Sequence, residues 1–428
     1  MITRSLLRAT SLASLFAFAH PALAAAPPPH KFGDPVIVGD GLTLDPIVEG
    51  RLRWEHVDQP TTDADAMTLR LRLGGELKHA RSHLALLAEA EGTVAIGNNY
   101  NAFSFVVPSS QRRPQFSTVA DPENIELNRL QLQYKGKAVT ITVGRQRLVL
   151  DDQRFVGPAG WRQNEQTFDA ARIEAKLGPV SLDGTYSINQ RTVLGYDAGP
   201  RTAYDGNFVF LGAGAKLGPV NVKAFAYLLD YDAAEQAGTQ AIALADTQTY
   251  GLRATTSLPL SKVVKLNLAA SYARQSNYQQ NPQSYGVDYL AAEGGVAYKG
   301  FAANVGYEKL GASAAAGRSF QTPMATLHKF NGWADLFTTT PANGLQDIYG
   351  GMTYAFAKGK GLPGLNGAAT YHEYDSAIGG VNFGHEWDAS VGLKLLRGVN
   401  GLIKYADYKA RGFGVDTSKF WLQVEFAY

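Results

Sequence analysis

Arginines recur two residues apart in the first part of the chain: Arg51 and Arg53, Arg70 and Arg72, Arg145 and Arg147, with Arg129 and Arg172 near them. A guanidinium presents a planar fork of donors that matches a carboxylate, so a row of them suits repeated contact with an anionic solute. A spacing of two puts both members of a pair on one face of a strand. The same row admits a second role, as mutually paired charges that stiffen a wall, with Glu49, Glu76, Glu89 and Glu91 as partners.

Other chemistries find less support. His372-Glu373 and His385-Glu386 both lack the second histidine that a helical zinc site needs four residues on. Asp151-Asp152 could bind calcium at a loop; its plainer reading is a solvated, unliganded acidic pair. No phosphate-binding loop, dinucleotide fingerprint or nucleophile elbow occurs. His328, seven residues before Asp335, is the one pair that suggests hydrolysis at a rim; its plainer reading is a loop residue packing on Trp333. Cysteine is absent, which excludes disulfides, thiolate metal sites and a thiol nucleophile. No cofactor is implied.

The elements that must position the arginines are strands. Met67, Leu69, Leu71, Leu73 and Leu77 alternate with Thr68, Arg70, Arg72, Gly74 and Glu76; Val264, Leu266, Leu268, Ala270 and Tyr272 alternate with Lys265, Asn267, Ala269 and Ser271. Period two gives each strand one apolar and one polar face. Eight short turns, among them Lys135-Gly136-Lys137, Leu177-Gly178-Pro179 and Leu217-Gly218-Pro219, separate longer polar or aromatic segments. The largest of these are residues 95–123 and 312–344. Eight hairpins, one strand before them (Ile47–Val57) and one after (Ser418–Tyr428) make about 18 antiparallel strands. Short turns on one side and long loops on the other describe an all-β transmembrane barrel of the bacterial outer membrane. The final strand agrees: Phe420, Leu422, Val424, Phe426 and Tyr428 share one face.

On this reading residues 1–24 are a secretory signal, with Arg4 and Arg8 ahead of an apolar core and Ala22-Leu23-Ala24 as the cleavage site. Residues 25–46 are a periplasmic leader and residues 47–428 a single barrel domain. The whole chain has 40 basic and 38 acidic residues. Cleavage removes Arg4 and Arg8 and no acid, so the mature protein is formally neutral, which argues against a nucleic-acid partner. The expected surroundings are outer-membrane lipid, and the expected state is a monomer.

By alternation Arg51, Arg53, Arg70, Arg72, Arg129, Arg172 and Arg253 face the lumen. Arg145 and Arg147 would follow Val139, Ile141 and Val143 onto the lipid face. A buried arginine there costs about 2–4 kcal/mol at mid-membrane, so a bulge near Gly144 is expected to turn them inward, unless the strand has already left the membrane. The segment 312–344 carries Phe320, Leu327, Phe330, Trp333, Leu336 and Phe337, too apolar for a disordered tail, and is expected to fold over or into the mouth; its plainer reading is a loop that packs on its neighbours and gates nothing.

Val143-Gly144-Arg145-Gln146-Arg147-Leu148, Asp151-Asp152-Gln153-Arg154, Phe168-Asp169-Ala170-Ala171-Arg172 and His328-Lys329-Phe330-Asn331-Gly332-Trp333-Ala334-Asp335 together resemble the alginate export family of outer-membrane barrels. The resemblance implies an eighteen-strand channel that passes an anionic polyuronate, or another carboxylated solute, through an arginine-rich constriction, with periplasmic export partners. It makes Arg145 and Arg129 the foremost constriction residues and Asp169 an acidic partner. Arg147, Arg154 and Arg162 follow as candidates at the start of the next loop, while Arg70, Arg72 and Arg172 rest on alternation. The Gly-Pro-Ala-Gly stretch within Asp152–Trp161 departs from that pattern. The other reading the residues allow is a general or aromatic-solute uptake porin whose arginines are structural.

Overall fold

In the computed structural model, residues 36–232, 245–356 and 364–427 are described. The expected signal and the first part of the leader lie outside them. The strands are β1 (Leu42–Asp58), β2 (Asp63–His79), β3 (Leu84–Asn99), β4 (Asn124–Lys135), β5 (Val139–Gln146) and β6 (Thr167–Leu177). They continue with β7 (Val180–Arg191), β8 (Ala203–Leu217), β9 (Val220–Tyr231), β10 (Thr247–Pro259), β11 (Val264–Asn277) and β12 (Gly286–Tyr298). The last are β13 (Phe301–Leu310), β14 (Leu345–Ala355), β15 (Asn366–Asp375), β16 (Asn382–Leu396), β17 (Val399–Ala410) and β18 (Thr417–Ala427). Each pairs antiparallel with its neighbour, and β1 pairs with β18 from Glu49↔Ala427 to Asp58↔Ser418, which closes the ring. A short strand, Val36–Gly39, pairs only with the start of β1.

The short turns fall where the glycines and prolines put them. Gly178 and Gly218 adopt φ of 61° in two-residue turns, a conformation that glycine takes without steric cost. Outward side chains are apolar: Leu71, Leu73, Leu130, Leu132 and Val143 are exposed. Two aromatic girdles bracket this band, as lipid interfaces favour. Tyr134, Tyr298, Phe301 and Tyr354 lie by the short turns, and Tyr186, Tyr250, Tyr272, Trp387 and Tyr405 lie nearer the long loops.

The inner face departs from the simple rule. On β8 and β9, Phe208, Phe210, Phe225 and Tyr227 point inward and are buried. They do not meet water because two connections fold into the lumen. Residues 147–166, between β5 and β6, supply Leu148, Leu150, Val156 and Trp161; residues 311–344, between β13 and β14, supply Phe320, Met324, Trp333 and Phe337. A barrel this wide leaves an open channel unless something enters it. Here the loops build a core of their own against one arc of the wall. The two segments also join each other: the Gly157 N–H donates to the Met324 carbonyl at 2.9 Å, and Thr326 N–H to the Gln153 carbonyl at 3.1 Å.

Candidate functional site

Alternation places Arg51, Arg53, Arg70 and Arg72 inward on β1 and β2, where Glu425 of β18 and Glu49 of β1 meet them. Arg51 bonds Glu425 at 3.3 Å and also reaches the carbonyls of Gly160, Trp161 and Arg162 at 3.1–3.2 Å. Arg53 lies over the Trp161 ring at 4.1 Å and bonds Asp121 at 3.1 Å. Arg70 sits 3.5 Å from Glu425 and 3.6 Å from Glu49. These donors draw in the backbone of the β5–β6 segment, whose carbonyls would otherwise be buried without partners. Arg53, Arg70 and Arg72 are all under 2 % exposed, so their carboxylate contacts are internal and they act as wall.

Below them Arg72, Arg129 and Arg147 gather around Glu89, Glu91 and Glu165. Arg72 bonds Glu91 at 2.5 Å, Arg129 grips Glu89 through two bonds of 2.9 and 2.5 Å, and Arg147 bonds Glu165 at 2.6 Å. Asn128 bridges Glu89 and Glu165 at 2.7 and 3.1 Å. Burial pushes the Glu165 carboxyl up, but Arg147, Arg72 and Arg129 outweigh it and hold the group down at about 2. Arg129 and Arg147 each keep 14 % of their side-chain surface, whereas Glu89 and Glu165 keep none. The accessible part of these two ion pairs is therefore guanidinium.

The expected bulge lies elsewhere. β5 pairs without a register shift on either side, so Arg145 stays outward opposite Leu130 and Asp169. Shifts fall on neighbouring strands instead: one between Glu89 and Ala90 on β3 leaves Asn128 as the extra residue of β4, and another lies between Asp169 and Ala170 on β6. Gly144, at φ 112°, lets the Leu130 carbonyl approach where a Cβ would stand. Arg145 is neutralised in place by Asp169 through two bonds of 2.7 Å. Arg147 turns inward because β5 ends at Gln146.

The remaining candidates bind the inserted segments or line the wall. Arg154 bonds Glu308 at 2.7 Å, Thr322 at 2.9 Å and Asn331 at 3.1 Å, so it ties both segments to β13. Arg162 bonds Asp335 at 2.8 Å. Arg172 faces inward beside Glu174 at 2.9 Å. Asp151 pairs with Lys223 at 3.0 Å and Asp152 with Arg253 at 2.7 Å. His328 does contact Asp335, at 2.8 Å, but its other nitrogen faces the amine of Lys404 and no hydroxyl nucleophile.

An inward arginine cluster in a closed barrel with loops folded into its lumen is the geometry of a selective channel, and sequence comparison agrees. The profile of the alginate export family matches residues 55–353. The chain belongs to the alginate export family. No curated protein matches it. Solved structures share its fold at low identity. The Pseudomonas aeruginosa outer-membrane protein OpdK is 13% identical, over 90% of this chain and 98% of its own, with a TM-score of 0.65. OccK2 (OpdF) from the same organism, solved in complex with glucuronate, is 13% identical over 90% and 97%, with a TM-score of 0.66. OpdK has also been solved with vanillate. This member of the family is an outer-membrane β-barrel of the channel type.

A second lumen feature escaped the sequence pattern. A cleft of about 90 Å³ lies beneath the inserted segments, lined by Asp152, Arg253, Glu293, Lys329, Tyr349 and His372 among others. Alternation alone places Arg253 inward. Asp152 and Lys329 arrive on loops, and no periodicity encodes where a loop folds.

Proposed function

We propose that this channel conducts small carboxylated solutes, sugar acids foremost, which exchange their carboxylate contacts at Arg129 and Arg147. The observation that carries the reading is the asymmetry of those two ion pairs: the guanidinium is accessible and its carboxylate is not. Such a site offers donors to a passing anion without releasing its own counter-charge. Binding stays weak because the arginines remain paired, and weak contacts are what conduction requires. Glucuronate in OccK2 and vanillate in OpdK are both ring compounds with a carboxylate, which fits this class. The joined inserted segments favour a single ring over a polyuronate chain.

A second reading, an uptake porin with structural arginines, is favoured by the complete burial of Arg53, Arg70 and Arg72. Planar-bilayer recordings separate the two. Under the first, glucuronate blocks the current from a low-millimolar concentration upward, and Arg129→Gln with Arg147→Gln removes the block and lowers anion preference. Unchanged block and selectivity in that double variant would leave only the porin reading.

A further inference from the structure

The tip of the 311–344 segment is held to the wall by ionisable groups that solute binding does not use. His328 stacks on Trp161 with ring centroids 4.6 Å apart and 5° between planes. Its Nδ1 lies 2.8 Å from Asp335 and its Nε2 lies 2.5 Å from Lys404 Nζ. Asp335 accepts and Lys404 donates, so the ring is a neutral imidazole with its proton on Nδ1. Lys404 sits against the faces of Trp161 at 4.0 Å, Trp333 at 3.6 Å and Trp421 at 5.2 Å. The three ring faces, with Asp388, Asp335 and Glu55 nearby, favour the ammonium, while burial and Arg53 oppose it.

Charges approach this pair from every element around it. Asp335 also bonds Arg162 of the other inserted segment at 2.8 Å and Lys419 of β18 at 3.2 Å. Lys419 lies 3.9 Å from Glu55 of β1, and Arg53 of β1 lies over the Trp161 ring at 4.1 Å. From β16, Glu386 accepts the Ala334 N–H at 2.7 Å and Asp388 the Trp333 N–H at 3.2 Å. His328 is thus the junction between the loop tip, the neighbouring loop and the cation-bearing strand β17.

We propose that His328 is a proton-sensitive catch: protonation at Nε2 sets an N–H against the Lys404 ammonium, breaks that contact and frees the tip of the 311–344 segment from the wall, widening the lumen in acid. Two donors cannot share one line, and like charges at this distance repel strongly in a dry site. Burial, ahead of the opposing pull of Asp335, keeps the ring's pKa well below that of a free imidazole, and Lys404 and Arg162 push the same way. The held state therefore has its full advantage above the free imidazole value and loses it as pH falls toward the lowered one. The inference needs only that the protein is a channel, not which solute it carries.

The test is single-channel conductance in potassium chloride from about pH 7.5 to about pH 4, a window that begins above the ordinary histidine value and runs well below it. The wild type should shift toward a wider or more often open state. The ratio of states should change by up to about tenfold per pH unit, the limit for one proton. His328→Gln, which can still donate to Asp335 and accept from Lys404, should keep the neutral-pH conductance and lose the acid response. Lys404→Met removes the repelling cation and narrows the gap between the held and released imidazole, so its acid response should be smaller than that of the wild type. A flat wild-type profile, the wild-type transition retained in His328→Gln, or an undiminished acid response in Lys404→Met would each overturn the proposal. If His328→Gln does not fold, the size of the Lys404→Met response decides.

Discussion

Arg145 and Asp169 face each other across β5 and β6 on the outer wall, joined by two bonds of 2.7 Å. They stand one outward position beyond Ala171, which pairs with the girdle residue Tyr186. Asp169→Ala would strand the guanidinium at the lipid boundary. Charge on that face costs about 2–4 kcal/mol at the midplane and about 0–1 near the interface. A loss on the order of 1 kcal/mol is expected in urea unfolding from lipid vesicles. Arg145→Leu with Asp169→Leu should recover it. Neither change should alter ion selectivity, because neither residue meets the lumen.

Arg129 should behave in the opposite way. Arg129→Gln removes an accessible guanidinium and exposes the charge of Glu89 to the lumen. Reversal-potential measurements should show anion preference falling severalfold, by about 1 kcal/mol for the lost charged hydrogen bonds. Glu89→Gln, which leaves the guanidinium in place, should raise anion preference.

Glu165 makes a prediction about acid. Its folded value is about 2 against an ordinary 4.5. A depressed carboxyl contributes stability that is complete above the ordinary value and disappears as pH falls from about 4.5 to about 2. The contribution at neutral pH is on the order of 3 kcal/mol, since each pH unit of difference corresponds to about 1.4 kcal/mol. Unfolding midpoints of the wild type should therefore decline through that window. Glu165→Gln should lower stability at neutral pH and flatten the decline.

Gly332 should tolerate no side chain. It adopts φ 85°, and a Cβ would run into the Glu386 carboxylate and the Tyr374 hydroxyl. The left-handed backbone alone costs an alanine about 1–2 kcal/mol. Gly332→Ala should loosen the inserted tip, seen as added current noise and faster proteolysis of the 311–344 segment in an otherwise folded barrel.

The barrel was legible because its signals are local. Leu71 beside Arg72, repeated along each strand, states which side faces lipid, and Gly178-Pro179 states where the chain turns back. The expectation that the 312–344 segment enters the mouth also rested on something visible, its aromatic residues. Arg145 misled because period two carries no height along the strand: a charge near the interface with a cross-strand partner is tolerated, and Asp169 lies 24 positions away in sequence. Phe208 and Phe210 were equally opaque. An inward aromatic makes sense only once Val156 and Met324 are known to lie against that arc of wall. The insertion of residues 147–166 left no periodic trace, although Arg51 and Arg53 are the groups that receive it.

The seam between β1 and β18 carries one more meaning. Glu425, three residues from the chain's end, is the counter-ion of both Arg51 and Arg70, and Gln423 receives Arg53. Three arginines from the first hairpin thus lack these partners until the final strand has docked. Glu49 and Asp121 already stand beside Arg70 and Arg53, so ring closure completes the neutralisation that the earlier strands begin. An assembly that stops one strand short leaves an open edge and an incompletely compensated interior together, a doubly marked fault.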